Sequence, residues 1–185
     1  MPFFSVACFL VLLTIAGTVR CQQNDSMRQL NSNLGHPGSK LVDLTLQKPD
    51  GKKVKLQDFS EQFLLLLLTD LDIIAGRAQM ILCERLRKEY SKSFLNITAV
   101  AIQKRSRQKV SLYLSNRPLD FEILSAEPSV EMAFGGVWII PTILIVNQDK
   151  VIVERFDGYR SYDILKEKLE HLRCAPKFIL KGDKE

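Results

Sequence analysis

The sequence predicts an α/β domain in which a central mixed sheet is flanked by helices, with an added N-terminal β-hairpin. Residues 63–69 form an unbroken apolar run, which is typical of a strand covered on both faces. A helical pattern follows as far as Tyr90, and a second apolar strand follows at residues 97–102. The alternation of strand, helix and strand indicates a parallel pair joined by a right-handed crossover. Another apolar strand, at residues 143–146, is followed by a hairpin turn.

The first 40 residues are predicted to lie outside this domain. Residues 3–16 are almost wholly apolar and too short to span a membrane, so residues 1–21 are predicted to be a secretory signal peptide. Cleavage is expected after Cys21, with a cut after Thr18 as the alternative, and lipid modification of Cys21 is a third, weaker interpretation. The remaining boundaries are a flexible segment at 22–40, the folded domain at 41–174 and a charged tail at 175–185.

Composition narrows the functional classes. The formal charge of +5 over 185 residues is mild, so it does not indicate nucleic acid as a partner. The sequence has neither a glycine-rich phosphate loop nor His and Cys residues at metal-ligand spacing, so we expect no cofactor and no metal. After signal cleavage no segment is expected to hold the chain in a membrane, and the mature protein should be secreted. Asn24 and Asn96 begin N-glycosylation sequons and are candidate glycan sites.

The first half of the domain is predicted element by element. Two alternating stretches around a Pro-Asp-Gly turn, residues 41–46 and 54–56, form the hairpin. After the strand at 63–69, Asp72 is the predicted N-cap of a helix. Its apolar face follows helical spacing and places Cys83 at the edge of the buried stripe. The residues of that face are Ala75, Ala78, Leu82, Leu86 and Tyr90.

The second half continues the alternation. A basic run at residues 104–109 follows the strand at 97–102, and it has two interpretations: an anion or glycosaminoglycan patch, or the solvated start of a helix. The later elements are a helix at 110–116, a short edge strand at 121–124, a short helix at 129–134, strands at 143–146 and 151–156, and a final amphipathic helix from Ser161 to Leu172.

This order of elements resembles the thioredoxin-like superfamily, in particular its alkyl hydroperoxide reductase and cytochrome-maturation (thiol-disulfide oxidoreductase) branch. The resemblance covers residues 41–172. It is carried by Gly136-Val137-Trp138-Ile139-Ile140-Pro141-Thr142 with the hairpin that ends at Gly158, by the Pro-Asp-Gly turn within residues 46–56, and by the segment Arg77-Ala78-Gln79-Met80.

The resemblance implies a cis peptide bond before Pro141, beside the redox Cys-x-x-Cys pair of active relatives. Aligned on Arg77, that pair falls on Ile73-Ile74-Ala75-Gly76, which contains no sulfur, and Leu67 stands where thioredoxins carry a buried acid. Disulfide exchange needs an attacking thiolate and a resolving thiol. We therefore expect a protein that keeps the fold without the redox reaction and is not an enzyme.

Two functions remain open. In the first, a secreted, redox-inactive protein binds a protein or an extracellular matrix component. Its candidate surface comprises Ile73 and Ile74, Trp138 and Ile140 beside Pro141, and the basic residues Lys104, Arg105 and Arg107. A plainer interpretation is that the apolar side chains only fill the former active-site groove. In the alternative function, a thiol oxidoreductase or peroxidase-like enzyme uses Cys83 as a lone nucleophile.

The topology of the family also implies a disulfide between Cys83 and Cys174. It places their helices on the same face of the sheet and in the same direction. Cys83 lies about ten residues into its helix and Cys174 about thirteen into the last one, which corresponds to depths of ~15 Å and ~20 Å. Two buried thiols, or an intermolecular bridge through Cys174, are the other outcomes.

Overall fold

The computed structural model describes residues 34–103 and 106–174. The predicted signal peptide, Asn24, Lys104, Arg105 and the tail at 175–185 lie outside the described residues. Within the described residues, seven strands alternate with three α-helices and two short 3-10 segments in the order that the sequence predicts. The strands are β1 (Thr45–Gln47), β2 (Lys53–Lys55), β3 (Phe63–Thr69), β4 (Leu95–Ile102), β5 (Glu122–Ala126), β6 (Thr142–Asn147) and β7 (Ile152–Asp157). The helices are α1 (Ile74–Glu89), α2 (Ser106–Asn116) and α3 (Tyr162–Cys174), with 3-10 segments at Leu56–Asp58 and Pro128–Phe134.

The strands form one mixed sheet in the order β2-β1-β5-β4-β3-β6-β7. Strands β3, β4 and β5 are parallel, and the outer pairings are antiparallel. The predicted hairpin is present as β1 and β2 at one edge. The prediction of an edge strand at 121–124 is wrong, because β5 lies between β1 and β4. Its burial comes from the hairpin, which adds two strands beyond it.

Two apolar layers cover the two faces of the sheet. Phe63, Leu65 and Leu67 pack against all three helices, through residues such as Met80, Val110 and Leu165. Leu64, Leu66 and Leu68 point to the other face, where Leu46, Leu56 and Phe134 cover them. We call this second cluster the inner apolar layer. Every residue of β3 is buried, as its unbroken apolar run predicts, because successive side chains of a strand alternate between the two faces.

The buried face of α1 differs from the predicted one. Its buried residues are Gly76, Gln79, Met80, Cys83 and Leu86, whereas the predicted Ala75, Ala78 and Leu82 are only half-buried. The prediction was wrong because the apolar pattern gives no weight to glycine or glutamine, and both lie against the sheet here. The actual face is rotated so that Cys83 lies in the middle of the core, with no exposed surface.

The packed domain begins at Leu34, seven residues before the predicted boundary. The amide of Gly38 donates to the carbonyl of Ile152 at 2.8 Å, and the amide of Ile152 donates to Ser39 at 2.8 Å. Lys40 also forms an antiparallel bridge with Val151. Residues 34–40, assigned to the flexible segment by their polar composition, therefore run beside the start of β7.

Candidate functional site

The candidate site lies at one end of the strands, where β3 ends and the neighbouring β6 begins. Leu68 is paired with Thr142 in the antiparallel register. The same register places Pro141 opposite Thr69, one step beyond the last pair. The Ile140–Pro141 bond is cis, as the resemblance implies. The chain therefore brings a cis proline against the turn that enters α1.

That turn differs from the prediction in its cap. Helix α1 begins at Ile74, and Ile73 occupies the N-cap position without a side-chain hydrogen bond. The carboxylate of Asp72 instead forms an ion pair with Lys109 of α2. The prediction that Asp72 caps the helix is therefore wrong, because its side chain is drawn to a lysine that is remote in sequence. Ile73 and Ile74, which the alignment on Arg77 matches to the first cysteine and the residue after it, are both exposed.

Gly76, which the alignment on Arg77 matches to the second cysteine of the family, has no room for a side chain. A Cβ atom built on Gly76 would lie 2.6 Å from the carbonyl oxygen of Asp70 and closer still to Oγ1 of Thr69. Both distances are below any that a real Cβ contact shows. The Thr69 hydroxyl thus occupies volume that any side chain at position 76 would need. The sequence shows that a thiol is absent here, and the structure adds that the space for one is filled.

Three buried polar atoms around this turn have no hydrogen-bond partner in the described part of the chain: Thr69 Oγ1, Gln79 Nε2 and Gln103 Nε2. The carbonyl ends of both glutamines are used. Gln103 Oε1 accepts from the amide of Leu71 at 2.7 Å, and Gln79 Oε1 accepts from the amide of Arg160 at 2.9 Å. The two glutamines therefore hold the turn after β3 and the turn after β7 in place. Sequence reasoning missed both, because an isolated glutamine gives no local signal of burial.

Cys83 and Cys174, the two cysteines of the described residues, are free, so the predicted disulfide between them is wrong. The helices do lie on one face, but Cys83 points into the core while Cys174 is exposed at the end of α3. Burial, with a smaller contribution from the charge of Glu84, raises the pKa of Cys83 to about 12. The Cys83 thiol is therefore protonated at neutral pH and shielded from solvent, which is the opposite of an activated nucleophile.

The loop that carries Trp138 is held by one buried arginine. The guanidinium of Arg155, whose side chain is 7% exposed, donates to the carbonyls of Gly35 at 3.1 Å, Phe134 at 2.7 Å and Gly136 at 2.9 Å. It also donates to the carboxylate of Asp157 at 2.9 Å. Because Arg155 bonds directly to the start of the loop, it fixes the approach to the cis proline. Sequence reasoning missed it as well, since its partners are backbone atoms of distant segments.

Asp157 extends this network to the start of β6. Burial by itself raises the pKa of Asp157, but hydrogen bonds from Arg155 and Thr142 outweigh burial and hold the pKa below its usual value. The Thr142 hydroxyl lies 3.0 Å from Oδ1 of Asp157 and 2.6 Å from the carbonyl oxygen of Ile139. The Asp157 carboxylate thus accepts hydrogen bonds from β6, through Thr142, and from β7, through Arg155.

Four exposed apolar side chains flank Pro141, and we call them the apolar shelf: Ile73, Ile74, Trp138 and Ile139. Trp138 is 86% exposed and Ile74 is 77% exposed. Ile140, which the sequence analysis placed on this surface, instead packs half-buried against the inner apolar layer. Ile139 takes its place, because residues 139 and 140 precede the start of β6 at Thr142 and strand alternation does not apply there. The exposure of Trp138 and Ile74 contradicts the interpretation that these side chains fill the groove.

The other predicted residues lie away from the shelf. Arg107 is in the first turn of α2, so the basic run includes the start of a helix, and its Nε donates to the carbonyl of Pro49 in the hairpin turn at 3.0 Å. Asn96 is half-buried in β4 and borders a cleft at the opposite end of the strands, where β4 and β5 begin. The described residues contain no cluster of three or more His, Cys, Asp or Glu side chains suited to a metal ion. Within the same residues, no helix has the length and apolar character to cross a membrane.

Solved structures of other proteins have the same fold as this chain. No family model and no curated protein matches the sequence. A protein assigned as the thiol:disulfide interchange protein DsbE of Chlorobium tepidum superposes with a TM-score of 0.64 at 18% identity, covering 75% of this chain and 96% of that one. The exposed lipoprotein thioredoxin Etrx1 of Streptococcus pneumoniae gives 0.59 at 18% identity, covering 70% and 99%. StoA of Bacillus subtilis gives 0.57 at 16% identity, covering 71% and 98%. The chain has the thioredoxin-like α/β fold.

Proposed function

We propose that this is a secreted, redox-inactive thioredoxin-like protein that acts by binding a partner protein on the apolar shelf. The observation that carries the proposal is the exposure of Trp138, 86% of whose surface faces solvent beside the cis proline. Large aromatic side chains supply much of the binding energy at interfaces, and clustered exposed apolar residues mark interaction sites. The loop that bears Trp138 is held by Arg155, so ordering it on binding costs little entropy.

Three features of the chain support redox inactivity. Positions 73–76 carry no sulfur, Gly76 has no space for a resolving side chain, and Cys83 is buried with a raised pKa. The lone-cysteine alternative requires a thiolate that substrate can reach, so the burial of Cys83 counts against it. We therefore expect the purified protein to reduce insulin no faster than dithiothreitol alone. Turnover that disappears in the Cys83→Ser variant would contradict this expectation.

Trp138 is the only tryptophan in the chain, so its fluorescence reports directly on the shelf. Peptides selected from a display library against the full chain should shift its emission to shorter wavelength and protect it from acrylamide quenching. The variant Ile74→Ser, which keeps the tryptophan, should weaken these peptides by about tenfold or more if Ile74 is buried on binding. The matched control is Leu112→Ser, which removes another exposed apolar side chain, 66% exposed, on α2. Equal affinity for both variants would contradict a site on the shelf.

Secretion is the second part of the proposal, and it rests on the predicted signal peptide. N-terminal sequencing of the protein recovered from the medium of a secretory host should give a chain that starts at Gln22, or at Val19 if the alternative cut is used. Retention of the intact N-terminus inside the cell would contradict this part. The result is independent of the binding test.

A further inference from the structure

The structure assigns a second binding site, for a sulfated polysaccharide, to the cleft between the β1–β2 hairpin and the start of α2. The cleft has a volume of about 530 Å³. Its lining comes from β1, from the end of β5 and the residues that follow it, and from the first turn of α2, and none of the four shelf residues is part of that lining. The site therefore does not depend on the proposed function of the shelf.

Two basic segments that are far apart in sequence meet at this cleft. The guanidinium of Arg107 donates to the carbonyl of Pro49 and lies against Gly51, where a built Cβ would be 2.9 Å from its Nη2. This contact joins the start of α2 to the hairpin that carries Lys53 and Lys55. The sequence suggested an anion patch from the run at 104–109 alone, whereas the structure adds the hairpin lysines to it.

The strand geometry points both lysines toward the cleft side of the sheet. Val54 packs against the inner apolar layer, so Lys53 and Lys55 face the opposite way. Their cross-strand partners are Gln47 and Thr45, both of which line the cleft. Residues paired directly across an antiparallel ladder share one face. The Cα atoms of the two lysines are thus about 7 Å apart along β2, and because β2 lies next to the cleft lining of β1, both lysines stand at the rim of the cleft.

Neither lysine has a competing partner. Lys53 and Lys55 form no ion pair with any residue in the described ranges 34–103 and 106–174. Lys48, on the same hairpin, is by contrast paired with Glu122. The unpaired charges on the rim are therefore available to an anionic ligand.

The residues that line the cleft favour a sulfated polysaccharide over nucleic acid or an anionic membrane. Its polar side chains are short hydroxyls, an amide, one guanidinium and one carboxylate: Thr45, Gln47, Ser106, Arg107, Ser125 and Glu127. Hydroxyl, amide and carboxylate groups can hydrogen-bond to sugar hydroxyls. The three cations, Arg107 in the lining and Lys53 and Lys55 at the rim, can pair with sulfate groups. No aromatic side chain lines the cleft, which disfavours single-stranded nucleic acid, because that ligand binds by stacking bases on aromatic rings. None of the large exposed apolar side chains belongs to the hairpin or to the first turn of α2, which disfavours insertion into a membrane.

The test uses the full chain from a secretory host, titrated with a heparin-derived hexasaccharide at 0.15 M salt. The variant Lys53→Gln/Lys55→Gln should lose about tenfold or more in affinity, since each cation near an anionic surface contributes measurably. The matched control is Lys88→Gln/Lys92→Gln, which removes two exposed charges at the other end of the strands and should change affinity less than twofold. Arg107→Gln should weaken binding as well, and Ile74→Ser should not.

Equal losses in the two lysine double variants would show only nonspecific attraction and would overturn the proposal, as would wild-type affinity in K53Q/K55Q. A thymidine oligonucleotide of equal charge, or phosphatidylserine vesicles, binding as tightly as the hexasaccharide would assign the cleft to another ligand and also overturn it. Circular dichroism melts verify that each variant is folded. If K53Q/K55Q does not melt cooperatively, Lys55→Gln alone and Arg107→Gln provide the same comparison.

Discussion

Replacing Gly76 by alanine tests the claim that position 76 is sterically closed to any side chain. Helix propensity alone predicts that Gly76→Ala stabilises the protein by about 1 kcal/mol, because Gly76 lies inside α1. The structure predicts the opposite. The new methyl group would lie 2.6 Å from the backbone oxygen of Asp70 and against Oγ1 of Thr69, and a backbone atom cannot rotate away.

Overpacking of this kind costs about 1–3 kcal/mol, and we take the upper end because one of the two contacts is with backbone. After the gain in helix propensity, the free energy of unfolding should fall by about 2 kcal/mol. For a domain of this size that corresponds to a melting temperature lower by about 4–8 °C. Thermal and urea unfolding followed by far-UV circular dichroism measure both quantities.

The companion variants separate the two contacts. In a Thr69→Ala background the hydroxyl is absent, so Gly76→Ala should cost less than in the wild type, although the Asp70 contact remains. Ala78→Gly, on the half-buried flank of the same helix, measures the propensity difference without a steric clash. A Gly76→Ala protein as stable as the wild type, or more stable, would refute the claim that position 76 is closed to any side chain.

Three further predictions concern Thr69, the two cysteines of the described residues, and Asp157. Thr69→Val should raise the free energy of unfolding by about 1 kcal/mol, because it removes a buried hydroxyl without a partner among the described residues; lower stability in urea titration would contradict this. Iodoacetamide should label Cys174 in the native protein and Cys83 only after unfolding, as peptide mapping can determine, and early labelling of Cys83 would contradict its burial. Asp157→Asn should lower stability at pH 7. Because the folded-state pKa of Asp157 is depressed, its stabilising contribution exists above the unfolded-state pKa and is lost as pH falls through the folded-state value. The difference from wild type should therefore narrow below about pH 4, and a difference that is constant with pH would contradict this origin.

The fold was largely predictable because its signals are local. The unbroken apolar run of β3, the Pro-Asp-Gly turn of the hairpin and the alternation of strands with helices each reflect a short stretch of chain. The cis bond before Pro141 followed from the resemblance, and the loss of sulfur at positions 73–76 could be read directly from the residues. These features depend on the type and order of residues, which the sequence contains.

The candidate site was predicted only in part because its remaining features depend on contacts between distant segments. Because Gly76 and Gln79 lie against the sheet, the buried face of α1 is rotated by about one residue from the predicted face. Cys83 therefore lies in the core and does not form the predicted disulfide. Arg155 bonds to backbone carbonyls of remote loops. Every residue type has such a carbonyl, so the sequence does not indicate which residues accept these hydrogen bonds.

The sequence by itself therefore determined that this chain folds as an α/β domain and that residues 73–76 carry no sulfur. Only the tertiary structure decided that Trp138 stays in water, that the Thr69 hydroxyl fills the space beside Gly76, and that Arg107 bonds to the hairpin turn. The physical reason is that burial and proximity are properties of the packed chain. A side chain is covered or exposed according to what other segments place beside it, and residue order alone does not specify those neighbours.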